Sequence, residues 1–377
     1  MNHINLVACI NKLGYGTHGI NMLKAFNDIG MTTSLQVKGE IDDNYNKILV
    51  NNSLKIPFDP LAPTLHIFHD EFLEKYPGKY IIPFTIFETT IVRKESLDKI
   101  EKYGEIVFTT TVEHKNILKN NGIIKPIYVI NEGVNPKLYN TENCKKIIDT
   151  KNYTFLLLGK YEKRKNIDLV MTAFIEEMQY KNVTLILHTF NPFIQTKNGF
   201  EHWYKINPVL LGYKFIEETE QYVHFSNSYS DIYYTKPILE CYEMKSLYHS
   251  ADVGISCSSA EGWGLPEMEM MACGKPVIIS NVIGHKEYIK NLPVFKELVI
   301  EPIDTEIAND GKYFLGDRGE WSKLDIIDII NKMEYSFNNK IGTELSQELS
   351  DYIINNYNWI KIAIQIKQII NRVEDEK

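Results

Sequence analysis

A chain of 377 residues exceeds what one hydrophobic core usually serves, so two domains are expected. An apolar share of 44% and a charged share of 24% are ordinary for a soluble globular protein. A formal charge of −8 argues against a nucleic-acid binder held by phosphate contacts, but leaves peripheral membrane contact through a local basic face open.

In chain order, "INLVACI" (4–10) reads as a buried strand, then a glycine loop, then a helix over 20–30 ("INMLKAFNDIG") closed by Gly30. Strand-like runs follow at 32–37, 64–69, 80–87, 105–111 and 127–133, several separated by helical stretches such as "VEHKNILKNNG" (112–122). This is the rhythm of a parallel sheet covered by helices. The segment 140–152 ("NTENCKKIIDTKN") loses apolar content and reads as a domain link. The rhythm then restarts: strand 153–160, helix 166–179, strands 183–190 and 222–227, helix 237–251, strand 252–258 and strand 276–280. The last segment, 349–377, is helical with a charged end. The fold class is therefore α/β, with two doubly wound Rossmann-like units.

Cys9, Cys144, Cys241, Cys257 and Cys273 are odd in number, widely spaced and lack a CxxC pair, which suits a reducing compartment and neither a disulfide framework nor a zinc site. No apolar run reaches the length of about 18 residues that marks a membrane span. No secretory signal is visible in "MNHINLVACINK". A cytoplasmic location is expected.

The stretch "EGWGLPEMEMMACGKPVII" (261–279) carries the sharpest chemistry. Gly262 and Gly264 allow close backbone approach. Pro266 suits the first turn of a helix, where its missing N–H costs nothing. The free N–H groups of that turn lie at the C-terminal edge of a sheet, an anion site in folds of this kind. Carboxylates repel phosphate but accept hydrogen bonds from hydroxyl groups, so Glu261 and Glu269 beside such a loop suit a ligand carrying both. A nucleotide-sugar is that ligand. Glu267 reads as a complement to the helix dipole.

The E-x7-E spacing of Glu261 and Glu269, preceded by "LYHSADVGISCS", resembles the donor-site signature of retaining GT-B glycosyltransferases, family 4 (glycosyl transferases group 1). "NKLGYGTHGIN", "VINEGVNPKLY", "LLLGKYEKRKNIDLVMTAF" and "YNWIKIA" resemble further segments of that family in the same order. The resemblance implies a GT-B fold: an acceptor-binding Rossmann-like domain over 1–145, a donor-binding one over 150–355, and a helix over 356–377 packing back on the first. The two domains are expected to face each other across a cleft. It implies that Glu269 accepts hydrogen bonds from the ribose hydroxyls and that Glu261 meets the transferred sugar. Backbone N–H groups along Gly262, Trp263, Gly264 and Leu265 then lie near the phosphates or sugar. Lys165 matches the lysine that grips the diphosphate, and Lys160 stands where the family usually has arginine, keeping the charge but losing the planar fork. Arg164 either shares that work or is a solvated surface charge.

"GYGTHG" (14–19) also fits G-x-G-x-x-G, so an NAD-dependent Rossmann oxidoreductase is an alternative. That fingerprint wants its first glycine directly after the strand, whereas Asn11, Lys12 and Leu13 intervene. In the glycosyltransferase reading, Gly14 and Gly16 let the loop approach the donor diphosphate. A non-catalytic nucleotide-sugar-binding protein is a further alternative, although nothing in the donor motif looks degenerate.

On the acceptor side, His69 and Asp70 follow one strand, and Glu88 with Thr89 follows the next. Glu88 is placed to orient an acceptor hydroxyl. His69 is either functional or a hydrogen-bonded structural histidine. No D-x-D occurs, so metal-independent transfer is expected, with no cofactor and with cations meeting the charge that grows on the leaving diphosphate. The expected reaction moves a sugar from a UDP-, GDP- or ADP-sugar to a hydroxyl acceptor, a glycan, lipid-linked molecule or small molecule, with retention at the anomeric carbon.

Overall fold

A computed structural model of the protein describes residues 2–41, 47–190, 208–236, 241–292 and 296–376. The chain forms two compact units, Met1–Asn135 with Asn356–Lys377, and Pro136–Asn355.

The first unit holds six parallel strands: β1 (His3–Ala8), β2 (Thr32–Val37), β3 (Thr64–Ile67), β4 (Ile81–Thr85), β5 (Val107–Thr109) and β6 (Ile127–Val129), in the order β2-β1-β3-β4-β5-β6. β1, β3, β4 and β5 are buried almost throughout, as expected of parallel strands covered on both faces. The helix expected over 20–30 begins earlier and spans Gly14–Asp28, so the glycines read as a loop form its first turn. Gly16 is required there, because a Cβ would collide with the Asn11 side chain and backbone, while nothing crowds Gly14.

The final helical stretch is two helices, Gln347–Asn356 and Trp359–Asp375. They separate where the Asn358 side chain caps the second by accepting from Ile360 N–H at 2.9 Å. The Trp359–Asp375 helix packs on the Gly14–Asp28 helix. Its indole lies 5.2 Å from the His18 ring, whose Nδ1 is 2.8 Å from Glu132 Oε1.

The second unit carries β7 (Tyr153–Lys160), β8 (Val183–Phe190), β9 (Lys214–Glu218), β10 (Tyr222–Ser226), β11 (Asp231–Thr235), β12 (Val253–Ser256), β13 (Val277–Ser280) and β14 (Val299–Ile300). Their order is β14-β13-β12-β7-β8-β11-β10-β9. Five strands around β7 run parallel with β11, while β9 and β10 add an antiparallel edge. A core of Phe155, Leu157, Leu185, Leu187, Val253 and Ile255 from the sheet meets Val170, Met171 and Phe174. A separate antiparallel hairpin, β15 (Asp304–Asn309) and β16 (Leu315–Lys323), rests on Ala260 through Trp321. The helix expected over 237–251 is seen as Cys241–His249, and 237–240 lie outside the described residues.

The boundary between units falls at Asn135/Pro136, earlier than the division at 145–150. The cause is polar anchoring of the apolar-poor segment on the second unit. Ser250 Oγ accepts from Ile147 and Ile148 N–H at 3.0 and 3.2 Å, and Lys245 donates to Asn140 Oδ1 at 2.6 Å. Among the described residues no helix is long and apolar enough to cross a membrane.

Candidate active site

The site in the second unit is assembled from two loops at the C-terminal ends of β7 and β12. After β7, Lys163–Lys165 makes one turn of 3-10 helix, ended by Asn166 in the left-handed region at φ 53°. Asn166 Nδ2 donates to Cys257 O at 2.8 Å and to Ser259 Oγ at 2.9 Å, and Ser259 N–H donates to Arg164 O at 2.6 Å. The two loops are therefore stitched together by neutral hydrogen bonds before any charge is counted. The β15–β16 hairpin braces both: Lys163 Nζ donates to Asn309 O at 2.7 Å, and Ser322 N–H to Ser259 O at 3.0 Å.

Side chains of alternating sign run along this seam. Lys160 Nζ lies 2.9 Å from Glu162 Oε1, Arg164 Nε 3.3 Å from Glu162 Oε2, and Arg164 Nη1 2.9 Å from Glu261 Oε1. Lys165 Nζ pairs with the same Glu261 oxygen. Arg164 Nη1 also donates to Ala260 O at 2.9 Å. Glu261, Arg164 and Lys165 are only 6%, 6% and 7% exposed, so these are desolvated ion pairs. Burial alone would raise the Glu261 carboxyl, but Lys165, then Arg164, with His285 behind them, hold it well below the usual carboxylate range. The position of Arg164 corrects the idea of a solvated surface charge: it is buried against the loop's own carboxylates.

Beyond Glu261, Gly262 and Trp263 are buried, and Gly264 turns the chain at φ 101° into the helix Leu265–Ala272, with Pro266 in its first turn. A Cβ at Gly264 would sit 2.9 Å from His285 Nε2, 2.9 Å from Tyr288 Oη and 3.0 Å from Glu267 Oε2, so glycine is required by both conformation and space. Glu267 is buried, and its Oε1 accepts the Ser256 hydroxyl at 2.5 Å. It is tied into the fold rather than lying on the surface.

Glu269 occupies the opposite kind of environment. It is half-buried, its Oε2 accepts the Tyr248 hydroxyl at 2.8 Å, and Tyr139 gives a second hydroxyl contact. Among the described residues no cation offsets its burial, so desolvation pushes the carboxyl up to about 7 against the two hydroxyls, and Glu267 adds to the rise. Tyr139 and Tyr248, 5.8 Å apart between ring centroids, are site residues that sequence reading missed; no local pattern marks them. The same is true of Glu162.

In the first unit, His69, Asp70 and Glu88 gather around Tyr15, also unread in the sequence. The Tyr15 ring lies 4.7 Å from the His69 ring, and its hydroxyl donates to Ile86 O at 3.0 Å. Burial first, then the Asp70 and Glu88 carboxylates, raise the Tyr15 phenol well above its ordinary value. Asp70 is buried and accepts Thr85 Oγ1 at 3.2 Å; burial pushes its carboxyl up to about 7, with Glu71 adding. His69 is exposed and Glu88 half-buried. Among the described residues no group of three or more His, Cys, Asp or Glu is arranged to hold a metal ion.

Residues 152–310 match the family model of glycosyl transferases group 1. No curated protein matches the chain. Among solved structures, the sucrose-phosphate synthase (tll1590) of Thermosynechococcus elongatus is similar with a TM-score of 0.66 at 13% identity, covering 100% of both chains. Anabaena Alr3699/HepE, solved with UDP and glucose, gives a TM-score of 0.62 at 13% identity, covering 99% of this chain and 100% of that one. A glycosyltransferase from Rickettsia africae ESF-5 gives 0.62 at 14% identity, covering 98% and 97%. The chain thus has the GT-B fold, and its residues 152–310 match the model of glycosyl transferases group 1.

Proposed function

We propose that the protein transfers a sugar from a nucleotide-diphosphate sugar to a hydroxyl acceptor, with retention at the anomeric carbon and without a metal or cofactor. The observation that carries this reading is the buried Arg164–Lys165–Glu261 cluster beside a glycine loop that opens a helix, within the stretch matched by the family. The donor binds the second unit. Glu261 meets hydroxyls of the transferred sugar, Glu269 those of the ribose, and Lys160 and Lys165 meet the diphosphate together with the N–H groups near Gly264 and Leu265. As the glycosidic bond breaks, negative charge moves onto the leaving diphosphate, and preplaced cations and a helix N-terminus stabilise that state more than the ground state. The acceptor hydroxyl is oriented by Glu88 and Asp70 near His69, and its proton passes to the departing phosphate. The UDP seen in the HepE structure supports a UDP-sugar as the first donor to try. Cysteine usage supports a cytoplasmic location.

Two features weigh against the oxidoreductase. Gly14, the first glycine of G-x-G-x-x-G, opens its helix several residues past the end of β1, not in the tight turn directly after the strand that the dinucleotide fingerprint wants. The second-unit cluster has no task in hydride transfer. The test is incubation with UDP-, GDP- and ADP-sugars and a panel of hydroxyl acceptors in EDTA. Product of retained anomeric configuration, read by NMR coupling constants, is expected. Inverted product, or thermal stabilisation by NAD(P) alone, overturns the reading.

A further inference from the structure

The seam after β7 poses a charge problem. Lys165 pairs with Glu261, yet under the proposed function, on which this inference rests, Lys165 turns to the donor diphosphate. One ammonium cannot fully neutralise both, and a buried carboxylate that loses its partner is strongly destabilising. Arg164 supplies what is missing. Its Nη1 is 2.9 Å from Glu261 Oε1 and 2.9 Å from Ala260 O, and its Nε is 3.3 Å from Glu162 Oε2, so it is anchored at three points and is 6% exposed. A planar fork fixed on a backbone carbonyl and a second carboxylate cannot swing to a phosphate without breaking all three contacts. Lys165, on a flexible stem, can.

We propose that Arg164 is a positioning residue: it keeps Glu261 ionised and in place when Lys165 leaves it for the diphosphate, and does not itself touch the phosphates. Among the described residues the charged or titratable groups that act most on Glu261 are Lys165, Arg164 and His285, and of these only Arg164 stays positively charged beside it once the donor is bound. Burial holds the His285 imidazole below its ordinary value, and its Nδ1 faces Ser280 O at 2.9 Å, so His285 is a poor substitute cation. Glu162 completes the device by bridging Arg164 to Lys160.

The test is a double-mutant cycle on UDP affinity, measured calorimetrically between pH 6 and pH 8 with Arg164→Gln, Glu261→Gln and the double variant. Arg164→Gln is expected to weaken UDP binding, with the deficit growing about tenfold toward alkaline pH, because binding then demands a protonated Glu261. In the Glu261→Gln background, Arg164→Gln is expected to cost less than about threefold. A deficit that is the same at every pH and persists in the double variant would mean that Arg164 contacts phosphate or merely packs, and the proposal falls. A second arm needs no ligand: the Glu261 carboxyl resonance followed by carbon-13 NMR in Lys165→Met. It should stay ionised to below pH 4, since Arg164 remains. Titration of that carboxyl between pH 5 and 8 overturns the proposal. If the wild type binds none of UDP, GDP or ADP, the donor reading fails, and the NMR arm alone decides the role of Arg164.

Discussion

Glu269→Gln isolates one half-buried charge. In the folded protein the Glu269 carboxyl is raised from its ordinary 4.5 to about 7, chiefly by burial that Tyr248 and Tyr139 only partly offset. A group raised on folding contributes stability that is fully present below its unfolded value and lost as pH rises through its folded value. The window is therefore about pH 4.5 to 7, and ionisation lowers stability across it. Between pH 5 and pH 8 the linkage amounts to about 2.5 kcal/mol, and solvent screening of a half-buried carboxyl reduces the expected loss to about 2 kcal/mol. For a unit the size of Pro136–Asn355 that is a fall of about 4–8 °C in the midpoint of melting. The amide of Glu269→Gln does not titrate, so the variant should lack this part of the decline whatever its absolute stability. The assay is a melting series at pH 5, 6, 7 and 8 on both proteins, with the difference between the two curves as the readout. Parallel curves would refute the reasoning, because they would show that Glu269 titrates alike in the folded and unfolded chain.

Glu261→Gln should impair sugar transfer while leaving UDP affinity within about threefold, since UDP has no sugar to lose; Glu269→Gln should weaken UDP itself by about tenfold, one charged hydrogen bond's worth. Calorimetry with steady-state kinetics checks both, and the reverse pattern would exchange the two assignments. Lys165→Ala should lower kcat more than it weakens UDP binding, because the charge it meets grows as the bond breaks; an equal loss in both counts against it. Gly264→Ala should destabilise the fold by about 2 kcal/mol, as it puts a side chain at φ 101° against His285 and Tyr288. Chemical denaturation measures this, and an unchanged midpoint would contradict the loop geometry.

What the sequence made legible was set by burial. β1, β3, β4, β7, β8 and β12 are covered on both faces, so each is a near-continuous apolar run that reads as a strand without help from its neighbours. β9 lies at an exposed edge with the polar run "KFIEE", and the β15–β16 hairpin carries "DTEIAN"; neither has an apolar face wide enough to announce itself. The Gly14–Asp28 helix starts earlier than the expected 20–30 because its first turn is the stretch that reads as a glycine loop. Here glycine is a packing requirement: Gly16 and Gly19 let the first turns lie against Asn11 and Cys9. The boundary at Asn135/Pro136 was hidden for a different reason. Residues 136–152 are held by hydrogen bonds to Ser250, Lys245 and Gln347, contacts that hydropathy does not register. Glu261 and Glu269 stand out through their spacing and the glycines between them, and Lys165 only through the family resemblance of the segment around it. Tyr15, Tyr139, Tyr248 and Glu162 do not, since their place depends on which strand ends and helices the topology brings together.

The two glutamates of the loop gain their meaning from that placement. Glu261 stands before the turn at Gly264 and meets two cations from the β7 loop, so its negative charge is already compensated when the ligand arrives. Glu269 stands one turn into the Leu265–Ala272 helix, past the reach of those cations, among tyrosine hydroxyls that stabilise an anion only in part. Eight positions of separation, with a positive-φ glycine between, put like residues in opposite electrostatic surroundings, and such divergence lets paired carboxylates take different roles. Under the proposed function, a fixed anion suits the sugar end, where geometry has to be held as the glycosidic bond breaks. A carboxyl poised near neutrality suits the ribose end, where hydroxyl donors can complete its ionisation on binding. On that proposal the acids beside the turn are compatible with a diphosphate, because one is neutralised by its own loop and the other is spared its full charge until the ligand supplies hydrogen bonds.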